Sequence, residues 1–234
     1  MSRTIPPHEL PDMAVAADFF ADARIRMVDS QIRPNKVTDP RILHAMRTLP
    51  REQFLPQPLT PLAYADEDVP LGGGRVLMEP MVLARLLQAA APLPGEVALV
   101  VAAGTGYGAA VLAACGPRVT ALEEDAALVE RARATLAEQA PGVAVVSGPL
   151  AQGWAASGPY DLILIEGAVR EIPAAIAQQL RMERGRLVGV IAPGDGTSQA
   201  VLAEVTPAGL RASPVFDCAT PLLPSLIPAP AFVF

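Results

Sequence analysis

Cysteine and histidine are almost missing from this chain of 234 residues: it has only Cys115, Cys218, His8 and His44. Two cysteines cannot build a disulfide framework, and the four residues fall into no metal-ligand spacing, so neither a stapled fold nor a metal centre is expected. The thiols read as buried and free. Aromatic residues make up only 4% of the chain, which argues against base-stacking platforms. The net charge is −6 and no basic run is present. A nucleic-acid binder would show a basic stripe, so DNA or RNA is not expected as the main partner. Long hydrophobic runs are absent as well. Pro92, Pro94, Gly95 and Glu96 break the longest candidate, short of the roughly 20 residues that span a bilayer, so no membrane partner is expected. The first 20 residues are acidic and proline-broken. They do not read as a secretory signal, and a cytoplasmic location is expected.

What is present is a core. Hydrophobic residues make up 51% of the chain, and the length fits one large domain or one domain with an added subdomain. Residues 1–60 read as an N-terminal helical extension and 61–234 as the main domain. Residues 12–28 are alanine-rich and plausibly helical. "TDPRILHAMRTLPREQFLP" is a clearer helix: Asp39 can cap it, Pro40 suits its first position, and Ile42, Ala45, Met46 and Leu49 recur at helical spacing. His44 lies beside that stripe, at a packing or edge position. Residues 56–76 read as loop, dense in proline, glycine and acids. "EPMVLARLLQAAAPLPG" reads as a helix with Pro80 in its first turn, stopped by Pro92 and Pro94.

From residue 97 strands and helices alternate. "VALVVAA" is a continuous apolar run, as expected of a parallel strand covered on both faces. A glycine turn, a helix closed by Gly116, the strand "RVTALEE", a charged amphipathic helix and the strand "VAVVSG" follow. "YDLILIEG" is a fourth strand, "IPAAIAQQLRMERG" the next helix, and "RLVGVIAP" a fifth strand. Antiparallel strands and turns are expected beyond it. The alternation predicts a doubly wound α/β fold with a mostly parallel sheet.

In such sheets ligands sit beyond the carboxyl ends of the strands. "AAGTGYG" follows the first strand of this series. Its glycines let the backbone approach a ligand, and the next helix offers unpaired N–H groups. Glu123 closes the second strand, 19 residues after Gly104, where an acid can accept two hydrogen bonds from a ribose diol. Dinucleotides and S-adenosylmethionine both use this layout. The glycine turn leaves both open.

The runs "PREQFLP", "GRVLMEPMVLARLL", "AGTGYGAAVLA", "VTALEED", "GPLAQGW" and "GPYDLILIEGAVREIPAAIAQQLRMERGRLV" occur in this order. Together, over roughly residues 27–195, they resemble the protein-L-isoaspartate O-methyltransferase family. The resemblance implies a seven-stranded sheet of the S-adenosylmethionine-dependent methyltransferase type, with that cofactor bound. Carried over by position, Gly104, Thr105 and Gly106 form the glycine loop, Glu123 holds the ribose, and Glu124 flanks the adenine. Pro149 and Leu150 belong to the adenine loop, with Trp154 over the adenine or in the core. Glu166 ends the fourth strand and faces cofactor or substrate. Arg75, Val76, Leu77 and Glu79 fall in the substrate segment: Arg75 as partner of a substrate carboxylate or a solvent-facing residue, Glu79 as contact to a cationic group or helix cap.

The sequence also departs from the family. Val100 stands where the family has an acid, Ala102 where it has a glycine, and Pro149 where its adenine loop has an acid. "GGGRVLMEPM" lacks the family's serine. The implied function is methyl transfer from S-adenosylmethionine to a carboxylate of a protein, a peptide or a small molecule, with isoaspartate only one of the possible acceptors. Such a carboxylate is already ionised and needs no general base. The alternatives are a catalytically inactive protein of the same fold that acts through protein interaction, and a nicotinamide-dependent enzyme.

Overall fold

The computed structural model describes residues 13–227, apart from 195. Helix α1 covers Met13–Met27, and α2 covers Pro40–Thr48. The Asp39 side chain accepts from the Arg41 N–H at 2.9 Å, and Pro40 opens the helix, as the sequence predicts. Ile42, Ala45 and Met46 form its buried stripe, while His44 is exposed at its edge. The helix is shorter than its apolar pattern suggests. Pro50 restricts the residue before it, and the chain continues as a single tight turn over Arg51–Phe54.

The expected loop of residues 56–76 contains a small hairpin instead. Strand β1 (Val69–Gly72) pairs antiparallel with β2 (Arg75–Leu77). Gly73 and Gly74, both at positive φ, make the reversal that the glycine run presented as loop. Helix α3 (Pro80–Ala90) follows and ends at Ala91, whose φ of 46° precedes Pro92.

The main sheet has seven strands, in agreement with the expected class. Its order is β5-β4-β3-β6-β7-β8-β9, with β3 Val97–Val101, β4 Arg118–Glu123, β5 Ala144–Ser147, β6 Leu162–Val169, β7 Arg186–Ile191, β8 Gln199–Thr206 and β9 Gly209–Asp217. β3 to β7 run parallel, and β8 and β9 are antiparallel additions. Between β3 and β4 lies α4 (Tyr107–Ala114), and between β4 and β5 lies α5 (Ala126–Gln139). The order reverses between β3 and β6, which places the ligand crevice of such a sheet at the ends of those strands.

The two faces are covered unequally. Ala98 and Val100 of β3 and Leu162 and Leu164 of β6 face one apolar cluster, shared with α2 to α5 and with residues Met27 to Leu55. Leu99, Val101, Ile163 and Ile165 face a second, thinner cluster, closed by Leu150, Tyr160, Ile176, Leu180, Leu223 and Leu226. The helix expected over 172–185 shrinks here to α6 (Ala174–Ala177). The chain turns back because Tyr160 and residues 179–181 exchange backbone bonds: Tyr160 N–H to Gln179 O at 2.8 Å and Arg181 N–H to Tyr160 O at 2.7 Å. Leu180 is thereby buried. Among the described residues no helix is long and apolar enough to cross a membrane.

Arg51 joins the first part of the chain to the crevice. It is wholly buried, its Nε donates to Ala63 O at 2.6 Å, and its Nη2 donates to Met78 O at 2.7 Å. The guanidinium also lies 4.7 Å from the Tyr107 ring centroid. Each charge-assisted bond contributes about 1.5–3 kcal/mol, and its loss strands a buried carbonyl. Arg51→Met is therefore expected to lower stability by about 3–5 kcal/mol in chemical denaturation. Arg184→Met, whose side chain is 69% exposed in its pair with Asp161, is expected to cost less than about 1 kcal/mol.

Candidate cofactor and acceptor site

Three backbone positions at the carboxyl edge of the sheet set the site. β3 runs into a loop in which Ala102 (φ 59°), Gly104 (φ 56°) and Gly106 (φ 96°) all adopt the left-handed region. That conformation costs a residue with a Cβ about 1–2 kcal/mol, so the fold demands glycine geometry at Ala102 although glycine is absent. At Gly106 a Cβ would meet Leu136 Cδ1 at 2.6 Å, so close packing of the loop on α5 requires glycine there. Glycine's greater unfolded-state freedom returns about 0.4–1 kcal/mol. Ala102→Gly is accordingly expected to raise stability by no more than about 1.6 kcal/mol. Thermal unfolding checks this, and a clear loss would show that the buried methyl contributes more than the strain removes.

Glu123 ends β4 with its side chain fully buried. Its Oε2 accepts from Gly104 N–H at 2.9 Å, and its Oε1 accepts from Glu124 N–H at 2.8 Å and Asp125 N–H at 3.1 Å. The carboxylate thus stitches the glycine loop to the start of α5. Glu124 accepts from Leu150 N–H at 3.4 Å, which joins the second strand's acids to the loop after β5. Its carboxyl is held below the usual range despite burial, because Ser225, Arg75 and Leu150 all donate to it. Pro149 precedes Leu150 as its turn's first flank, and Leu150 is buried. Trp154 packs beside Gly148 on this side, where an added Cβ would meet its ring at 3.2 Å. The fold therefore brings Gly104, Thr105, Gly106, Glu123, Glu124, Pro149 and Leu150 to one edge.

Arg75 differs from its expectation. The reading of the sequence put it at the mouth, toward substrate or solvent. The structure instead buries it over the two acids: Nε lies 3.3 Å from each Glu123 oxygen, and Nη2 donates to Glu124 Oε1 at 2.6 Å. The physical reason is charge. Two adjacent carboxylates at a strand end draw the one cation that the hairpin carries over them. Val76 and Leu77 continue β2, with Leu77 buried. Glu79 precedes α3, but its carboxyl makes no capping bond, and Asp68 Oδ1 accepts from its N–H at 2.7 Å. Partial burial and the charges of Asp66 and Asp68 push Glu79 up to about 7.

On the helix-covered face a polar group emerges that the sequence signals only in part. Glu166 sits where the β6–β7 register shifts, between Leu164 and Ala168; such irregularities re-aim side chains next to sites. Its carboxyl fills the space beneath α4, and a Cβ on Gly108 would lie 2.1 Å from Oε1. Burial pushes its pKa up to about 8, with Arg51 opposing and Glu123 adding to the rise. That Oε1, Arg51 Nη1, the Tyr107 hydroxyl and Thr105 Oγ1 are all buried without a hydrogen-bond partner. Sequence reasoning singled out Glu166 and Thr105 and missed Arg51. Tyr107 packs edge-on to Phe54 at 5.3 Å. Arg51 could have been suspected from a charged residue inside an apolar, proline-bounded run.

Among the described residues no group of three or more His, Cys, Asp or Glu could hold a metal. Cys115 is buried and Cys218 half-buried, both free, with thiols pushed up to about 11 by burial. A cleft lined by Val97, Arg118, Thr120, Gly142, Ser157 and Arg181 opens at the opposite edge of the sheet, away from these acids.

The folded pKa of Glu166 lies above its unfolded value of 4.5. The folded state then holds a proton that the unfolded state releases, so this contribution is complete below about pH 4.5 and fades as pH rises to about 8. Thermal melts from pH 5 to 8 should show a steeper fall with pH for the natural protein than for Glu166→Gln. Parallel curves would disprove a neutral buried Glu166.

The comparisons with known proteins agree with this geometry. A profile of the Protein-L-isoaspartate(D-aspartate) O-methyltransferase family matches residues 23–207. A protein-L-isoaspartate O-methyltransferase of Methylorubrum extorquens is 43% identical over 192 residues, 82% of this chain and 84% of that protein. One from Koribacter versatilis is 38% identical over 210 residues, 88% of this chain and 93% of the other. Among solved structures, a Plasmodium falciparum chain assigned to the same activity, in complex with S-adenosyl-L-homocysteine, superposes with a TM-score of 0.72 at 18% identity, covering 86% of this chain and 98% of that one. The last likeness shows the fold. Neither the non-catalytic nor the nicotinamide alternative finds support in these likenesses.

Proposed function

This chain belongs to the protein-L-isoaspartate(D-aspartate) O-methyltransferase family, and from that membership we propose that it methylates a carboxylate oxygen on a protein or peptide, the free carboxylate of an isoaspartyl residue being the first candidate. The family's cofactor is S-adenosylmethionine. The observation that carries the reading is Glu123, aimed by three backbone N–H groups beside a loop of left-handed residues. When bound, the cofactor supplies a methyl on a sulfonium, open to in-line attack.

The residues present fit that group. Glu123 would hold the ribose hydroxyls, and Glu124 with the Leu150 N–H would border the adenine. The glycine loop and the unpartnered Thr105 Oγ1 would receive the methionine end. Glu166, buried beneath α4, would lie behind the crevice, and Val76 and Glu79 would border the acceptor, with buried Leu77 behind them. Because a carboxylate acceptor is already charged, the protein has to orient it and exclude water, effects that supply about 7–11 kcal/mol in well-aligned systems. In this reading residues 1–60 are a helical extension of a methyltransferase domain spanning 61–234. The enzyme would be one of protein modification, and the acidic, cysteine-poor composition suits a cytoplasmic setting.

Calorimetry with S-adenosylmethionine and S-adenosylhomocysteine, together with methyl transfer to paired isoaspartyl and aspartyl peptides, tests this function. Binding and selective methylation of the isoaspartyl peptide are expected. Glu123→Gln loses a charged acceptor worth about 1.5–3 kcal/mol and should weaken cofactor binding roughly 10- to 100-fold. Absence of binding at millimolar cofactor would refute the proposal.

A further inference from the structure

Glu123 already accepts as much as a carboxylate can. A carboxylate offers about four lone-pair sites. Three are taken by the N–H groups of Gly104, Glu124 and Asp125, and Arg75 Nε shares both oxygens at 3.3 Å. A ribose diol brings two more donors. The three backbone groups belong to the strand end and the glycine loop, which cannot withdraw without unmaking the site. The guanidinium is the one partner that can leave. It also has somewhere to pivot, since Nη2 holds Glu124 at 2.6 Å, and Glu124 is partly open to solvent.

Arg75 opens β2, the strand that leads into the acceptor-side residues Val76, Leu77 and Glu79. Its hairpin rests on the cofactor loop, where a Cβ on Gly104 would lie 3.2 Å from Leu71 Cδ1. The hairpin also meets the C-terminal turn, where a Cβ on Gly74 would lie 2.5 Å from Pro224 Cγ. Moving the guanidinium therefore moves, or releases, the segment that borders the acceptor.

Resting on the cofactor reading of Glu123, we propose that Arg75 is a positioning residue that latches the acceptor-side hairpin onto the ribose acid, and that the cofactor's ribose diol displaces it. Cofactor binding and hairpin placement are then one coupled event, with the cofactor binding first. Arg75 is not a contact of the cofactor but its competitor. A ligand that must displace a resident partner shows an apparent affinity reduced by the fraction of competent sites. Removing the competitor raises affinity, whereas removing a contact lowers it.

The test compares the full chain with Arg75→Met, which has no donor, and Arg75→Lys, which keeps the charge toward Glu124 but lacks Nε. Calorimetry with S-adenosylhomocysteine is expected to show tighter binding for Arg75→Met by about tenfold, with Arg75→Lys between the two. Amide exchange over residues 69–77 should change in the natural protein when S-adenosylhomocysteine is added. In Arg75→Met it should already stand at the ligand-bound level and not respond. Equal or weaker binding by both variants, with the natural protein binding, overturns the latch and leaves the cofactor reading intact. Failure of the natural protein and both variants to bind overturns both. Far-UV circular dichroism shows whether Arg75→Met is folded, and if it is not, the Arg75→Lys affinity decides.

Discussion

One carboxylate organises the working edge of this molecule. Glu123 takes N–H groups from the glycine loop and from the first residues after its own strand, and a guanidinium from the hairpin above. Burying a charge is costly unless it is paired and hydrogen-bonded, as Glu123 is. The same bonds that make Glu123 affordable inside the protein also hold the loop after β3, the start of α5 and the hairpin in register with one another. The cofactor edge is thus assembled around a single acceptor rather than around a cavity.

A second constraint works from the buried cluster around Tyr107 of α4. Arg51 is buried without a carboxylate within bonding distance and relies on two backbone carbonyls and the Tyr107 ring. Those carbonyls lie before and after the hairpin. The two arginines therefore hold it at both levels: Arg51 fixes where its ends leave the core, and Arg75 fixes where its tip lies. Arg51 spends its bonds on main chain, whose position no ligand disputes. Arg75 spends its bonds on two side-chain acids, the pair proposed above to hold the cofactor. On that proposal one arginine is structural and the other exchangeable.

Much of the architecture was legible in the sequence because it rests on local rules. The apolar run of β3, the cap at Asp39, the proline at the head of α3 and the acid closing β4 each announce themselves within a few residues. The elements that were misjudged depend on distant partners. α6 stops early because Tyr160 competes for the backbone of residues 179–181. The hairpin at 69–77 hid behind glycines that read as loop. Arg75 looked like a mouth residue because only the fold brings it to Glu123 and Glu124, 48 and 49 residues away. Glu166 was read as the end of its strand, but β6 runs on to Val169, and the burial of Glu166 beneath Gly108 depends on a register shift that no residue pattern reports.

Ala102 shows how far letters and shapes can part. Its φ of 59° lies in the same left-handed region as Gly104 two residues later, so the backbone has kept the bend while the residue that makes it easy is absent. A motif written in amino-acid letters loses one of its characters at this position and weakens accordingly. A motif written in dihedral angles loses none. In this chain the path of the main chain through the loop holds what the glycine count omits, and a sequence signature keyed to that count would undervalue it.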